Sequence, residues 1–90
     1  MEGNPLIPAQ RFGEQRALKI DEKVYGPEHP NVARDTNNIG QILQAKGDLD
    51  GELSYTERAL RIFESSYGSD NPSTKTVAAN LEPIKQAKQR

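Results

Sequence analysis

The chain reads "ALKIDEKVYGPEHP" from Ala17 to Pro30 and "ALRIFESSYGSDNP" from Ala59 to Pro72. The second stretch begins 42 residues after the first. Sliding the sequence by that offset matches Arg16 to Arg58, Ala17 to Ala59, Leu18 to Leu60, Ile20 to Ile62 and Glu22 to Glu64. It also matches Tyr25-Gly26 to Tyr67-Gly68, Pro30 to Pro72, Asn38 to Asn80 and Ile42 to Ile84. These identities fall at helical spacing and at turn punctuation, which is where a structural repeat needs them.

Each unit carries its own stops and starts. Gly26 and Gly68 follow amphipathic stretches and suit the left-handed position that ends a helix. Pro30 and Pro72 suit the first turn of the next helix, where a missing N–H is harmless. Asn71 is a good N-cap before Pro72. In "AKGDLDG", Ala45 to Gly51, Gly47 ends a helix and Asp48 or Asp50 can cap the next. Between these marks the apolar positions recur every three or four residues. Val32, Thr36, Ile39 and Leu43 form one stripe; Leu53, Thr56, Leu60, Phe63 and Tyr67 form another; Val77, Leu81 and Ile84 form a third. No stretch alternates as a strand would. The spacing predicts four helices, at roughly 8–25, 30–46, 50–67 and 72–88. Residues 1–8, with two prolines, read as a lead-in, and 9–90 as one helical domain.

Composition narrows the function classes. Only 33% of the 90 residues are hydrophobic, which suits a thin stack better than a deep core. Twelve basic and thirteen acidic residues are spread throughout, so no basic footprint for nucleic acid or an anionic membrane appears. No apolar run approaches a membrane span, and there is no signal-peptide pattern. The absence of cysteine removes disulfides and thiolate metal sites. By elimination the chain reads as cytoplasmic.

Chemistry is sparse. His29 is the one histidine and stands in a turn before Pro30. A general base would need an orienting acid and a pocket, and Glu28 beside it reads as loop solvation. Asp48 and Asp50 lack the other ligands of a calcium loop and read as caps. Gly26, Gly47 and Gly68 stand alone and form no phosphate cradle. Tyr55, Phe63 and Tyr67 lie at core spacing rather than as a base-stacking platform. The sequence therefore indicates no enzyme and no cofactor.

The stretch from His29 to Pro72 resembles a tetratricopeptide repeat of the 42-residue variety found in kinesin light chains. The resemblance rests on His29-Pro30-Asn31-Val32-Ala33, Asn37-Asn38-Ile39-Gly40, Gly47-Asp48-Leu49 and Arg58-Ala59-Leu60-Arg61-Ile62, and it extends over about residues 14–82. It implies an all-α, right-handed superhelix of antiparallel helix pairs. One full repeat at about 30–71 would be flanked by two half-repeats. It also implies a protein-interaction module holding a peptide or a partner helix on its concave face. First helices of each unit line that face, so the resemblance places Arg34, Asn37, Asn38, Gln41, Gln44, Thr76 and Asn80 there. Amides can pair with any peptide backbone, and Arg34 would meet an acidic side chain.

Three departures carry expectations. Glu52 stands where such repeats have alanine, so it should loosen the helix crossing unless its carboxylate finds a partner. Pro83 should kink or end the last helix near Leu81–Glu82, as in a terminal cap. The first helix resembles the second half of a repeat whose first half is missing. Its apolar positions would then seek a cover, and self-assembly through that helix is the alternative function.

Overall fold

The computed structural model describes residues 6–89. Four helices follow one another: α1 (Leu6–Tyr25), α2 (Pro30–Lys46), α3 (Leu49–Tyr67) and α4 (Pro72–Gln89). No strand occurs among the described residues. The bounds agree with the periodicity to within two residues. Helix α1 takes in residues 6–8, and the remainder of the expected lead-in lies outside the described residues.

The punctuation works as local chemistry. At the end of α2, Gly47 adopts a left-handed conformation (φ 80°, ψ 14°). Its N–H donates to the Gln44 carbonyl at 3.0 Å, and the Asp48 N–H donates to the Leu43 carbonyl at 2.9 Å. These are the two bonds of a Schellman ending, which satisfy carbonyls that the helix would otherwise orphan. Asp48 then starts α3 by accepting the Gly51 N–H at 2.9 Å. Asn71 accepts the Ser73 N–H at 2.8 Å at the head of α4. His29 caps α2: its Nδ1 accepts the Asn31 N–H at 3.0 Å. The imidazole also stacks on the Tyr25 ring, 4.3 Å between centroids. That assigns the single histidine a definite structural task.

Short connections fold each helix back on its predecessor. Helix α3 packs on both α2 and α4, whereas α1 packs mainly on α2. The molecule measures 47 × 39 × 18 Å, a slab rather than a sphere, as the polar composition implies. Leu18, Val32, Ala33, Ile39, Ala59, Ile62, Phe63 and Val77 form the core. The inequality between α1 and α3 is clearest at the repeat-matched pair: Ile62 is 1% exposed and Ile20 53%. Arg58 of α3 ties back to α1, with Nη2 2.5 Å from Glu22 Oε2.

Two expectations change here. Helix α4 does not end at Leu81–Glu82; it runs through Pro83 to Gln89. Pro83 lacks the N–H that would serve the Ala79 carbonyl, but Ala79 and Pro83 are both exposed, so water can serve it. Downstream, Ile84 is buried, which anchors the helix past the proline. Glu52, for its part, does not splay the α2–α3 crossing. Gly40 supplies the close approach: a Cβ at that position would lie 2.9 Å from Thr56 Oγ1 and 3.5 Å from the Glu52 carbonyl oxygen. The small residue required at the crossing is on α2 rather than α3.

Candidate functional site

Two adjoining cavities open between α2 and α4. The larger, about 370 Å³, is lined by Asn37, Gln41 and Gln44 of α2, Glu52 and Thr56 of α3, and Asn80 of α4. Ala79, Pro83 and Ile84 complete its α4 wall. The smaller, about 270 Å³, has Arg34, Asn37 and Phe63 on one side and Pro72, Ser73, Thr76 and Val77 on the other. Asn37 borders both, which makes them one groove.

Helical geometry explains the assembly. Asn37, Gln41 and Gln44 are spaced four and three residues apart, so they share one face of α2. Thr76 and Asn80 are four apart on α4 and meet that face from across the groove. Of the seven residues assigned from the sequence, Asn37, Gln41, Gln44 and Asn80 gather at the larger cavity, and Arg34, Asn37 and Thr76 at the smaller. Asn38 is half-buried and lines neither. The Thr76 hydroxyl donates to the Pro72 carbonyl at 2.9 Å, so it is committed to its own helix.

Arg34 is already occupied. One of its nitrogens, Nη2, lies 3.2 Å from Asp21 Oδ2 and 3.3 Å from Asp35 Oδ1. A single guanidinium nitrogen is thus shared between two carboxylates at the α1–α2 joint. Asp35 is 2% exposed, and its Oδ2 is buried without a hydrogen-bond partner. Burial, reinforced by hydrogen bonding to Asp21 and by its charge, outweighs Arg34 and pushes the Asp35 carboxyl up to about 6.

Glu52 and Thr56 joined the site without being read as site residues. The sequence did single out Glu52, as a charge in a small residue's place. It is 7% exposed, and burial raises its pKa above the usual carboxylate value. Among the described residues it has neither an ion-pair nor a hydrogen-bond partner for its carboxylate. Phe63 was read as core; it serves as core and as the floor of the smaller cavity.

No helix of the described residues is long and apolar enough to cross a membrane, and none of their acidic or histidine side chains cluster as three or more potential metal ligands. A family model for the tetratricopeptide repeat matches residues 15–65. With the helix-pair stack and its groove, this places the chain in the tetratricopeptide repeat family, whose members generally mediate protein–protein interactions. No curated protein matches the chain.

Proposed function

We propose that the chain is a peptide-holding module whose groove between α2 and α4 takes an extended segment of a partner protein. The observation that carries this reading is the convergence of four amides, Asn37, Gln41, Gln44 and Asn80, on one cavity from two separate helices. Amide side chains both donate and accept. They can therefore pair with the N–H and C=O groups of a peptide backbone whatever its sequence. Gln41, Gln44 and Asn80 are exposed and make no hydrogen bond within the described chain, so they are free to do so.

The test is selection of random dodecapeptides displayed on phage, followed by titration of selected peptides into isotope-labelled protein. The expected result is movement of the Asn37, Gln41 and Asn80 side-chain amide resonances, and loss of binding in Asn80→Ala with helicity intact. Peptides that move only resonances of α1, or a selection that yields none, would overturn the groove reading.

A second reading has its own observation. Ile20, Val24 and Tyr25 of α1 are 53%, 66% and 50% exposed. Such a cluster of large apolar side chains suits an interaction surface, and a second copy covering it would make the chain a self-assembling unit. Sedimentation equilibrium over a wide concentration range decides this: a dimer abolished by Ile20→Asp supports assembly through α1, and a monomer throughout rejects it.

A further inference from the structure

We propose that the groove selects for positive charge: an arginine or lysine side chain of the bound peptide inserts between α2 and α4 and pairs with Glu52. The inference rests on the groove reading above and specifies its ligand.

Among the described residues, Glu52 is the one charged residue lining the larger cavity, and no lysine or arginine lines it. The rest of its polar lining is amide and hydroxyl. Glu52 is 7% exposed as a residue, and its carboxylate has no ion-pair or hydrogen-bond partner among the described residues, an unfavourable arrangement unless something supplies one. The close α2–α3 approach at Gly40 is made against Thr56 and the backbone oxygen of Glu52, so it does not call for a carboxylate at that position. Helix capping does not require it either. Asp48 fills that position, and Asp50 already places a negative charge in the same first turn. None of the ion pairs among the described residues involves Glu52: Arg34 pairs with Asp21 and Asp35, Arg58 with Glu22, and Lys88 with Asp50.

A guanidinium or ammonium group resolves each of these points. It would neutralise Glu52, and its remaining N–H groups could donate to the amide oxygens of Asn37, Gln41, Gln44 and Asn80. At about 370 Å³ the cavity is at the small end for ligand sites, the size for a side chain or two rather than a large molecule. The acidic partner suggested by Arg34 on sequence grounds is disfavoured at the larger cavity, because that guanidinium lines the smaller cavity and is shared between two carboxylates, while the larger cavity holds Glu52.

The experiment compares the displayed-peptide selection on the wild-type chain and on Glu52→Gln, which keeps the shape and removes the charge. The expected wild-type peptides share one arginine or lysine, and they move the Asn37, Gln41 and Asn80 amide resonances. Replacing that arginine by citrulline, which is neutral and nearly isosteric, weakens binding at least tenfold on the wild type and little on Glu52→Gln. The citrulline arm acts on the peptide alone and stands even if the protein variant folds poorly. Groove-bound peptides without a basic residue, or with no loss on citrulline replacement, overturn the charge inference and leave the groove reading intact. A selection that yields no groove-bound peptide overturns both.

Discussion

Replacing Asp35 by asparagine should stabilise this protein at neutral and alkaline pH. Asp35 is buried between α1 and α2, faces the Asp21 carboxylate, and shares one nitrogen of a largely exposed arginine with it. Its carboxyl is pushed from the usual 3.8 to about 6. A folded-state pKa above the unfolded one stabilises the native state at low pH, and that contribution is lost as pH rises through the folded value. The difference between 3.8 and about 6, at ~1.4 kcal/mol per pH unit, amounts to about 3 kcal/mol by pH 8. Asparagine removes that burden, and the weakened contact to the exposed Arg34 takes back at most about 1 kcal/mol. The net gain is therefore about 2 kcal/mol, or roughly 10 °C in Tm for a domain of this size. Thermal melts followed by circular dichroism at pH 8, 6 and 4 provide the assay. The variant should lead at pH 8, and its advantage should shrink to near zero at pH 4, where Asp35 of the wild type is protonated. A variant less stable than wild type at pH 8, or a difference that does not change with pH, would refute the reasoning. Either would mean that Arg34 keeps Asp35 ionised throughout.

Gly40→Ala should destabilise by about 1–2 kcal/mol through overpacking against Thr56. Adding Thr56→Ala should recover most of that loss in urea unfolding. Pro83→Ala should leave helix content at 222 nm unchanged, because α4 already runs past the proline, and should raise stability by about 1–3 kcal/mol by restoring the hydrogen bond to Ala79. Ile62→Ala, at a position 1% exposed, should cost about 2–5 kcal/mol; the repeat-matched Ile20→Ala, at 53%, should cost well under half as much, and equal losses in chemical denaturation would mean that α1 is covered after all. Glu52→Gln should be at least as stable as wild type above neutral pH, because burial makes the ionised form the unfavourable one; a fall in Tm would reveal a partner for the carboxylate.

The repeat made the helices legible because a helix end is a local event. Gly47, Asp48, His29 and Asn71 each act on backbone groups within a turn of themselves, so a short window of sequence contains the whole interaction. The amide face of α2 was legible for the same reason: Asn37, Gln41 and Gln44 need only helical spacing to align. What lay beyond reach depended on how one helix meets another. That Arg34 would be held by Asp21, thirteen residues earlier, follows from the α1–α2 crossing. That Gly40 rather than position 52 carries the close approach depends on which of two facing residues is small, and a pattern of positions does not record the pairing. Pro83 does not end α4: the rule for proline describes a lost bond and a local clash, and the continuation of the helix goes with the exposure of Ala79 and the burial of Ile84.

Asp35 and Glu52 illustrate two ways in which a small stack can keep a charge inside. Among the described residues, five polar ones, Asp35, Thr36, Glu52, Thr56 and Thr74, are buried beside ten apolar ones, a heavy polar share for so small a core. Thr36 satisfies itself by donating to the Ala33 carbonyl at 3.0 Å. The carboxylates have no such recourse, and they differ in what can relieve them. Asp35 Oδ2 is sealed off and adjacent to another acid, so a proton is the available remedy, and it arrives only on acidification. Glu52 lines an open cavity, so a cation carried by a partner can reach it at neutral pH. Removing either charge should stabilise the free protein, but only the charge at Glu52 should matter to binding. A site that weakens the free fold and is relieved by its ligand is the expected form of a stability–function trade-off. It predicts that a basic peptide raises the Tm of the wild type more than that of Glu52→Gln, while Asp35→Asn leaves the peptide-induced increment unchanged.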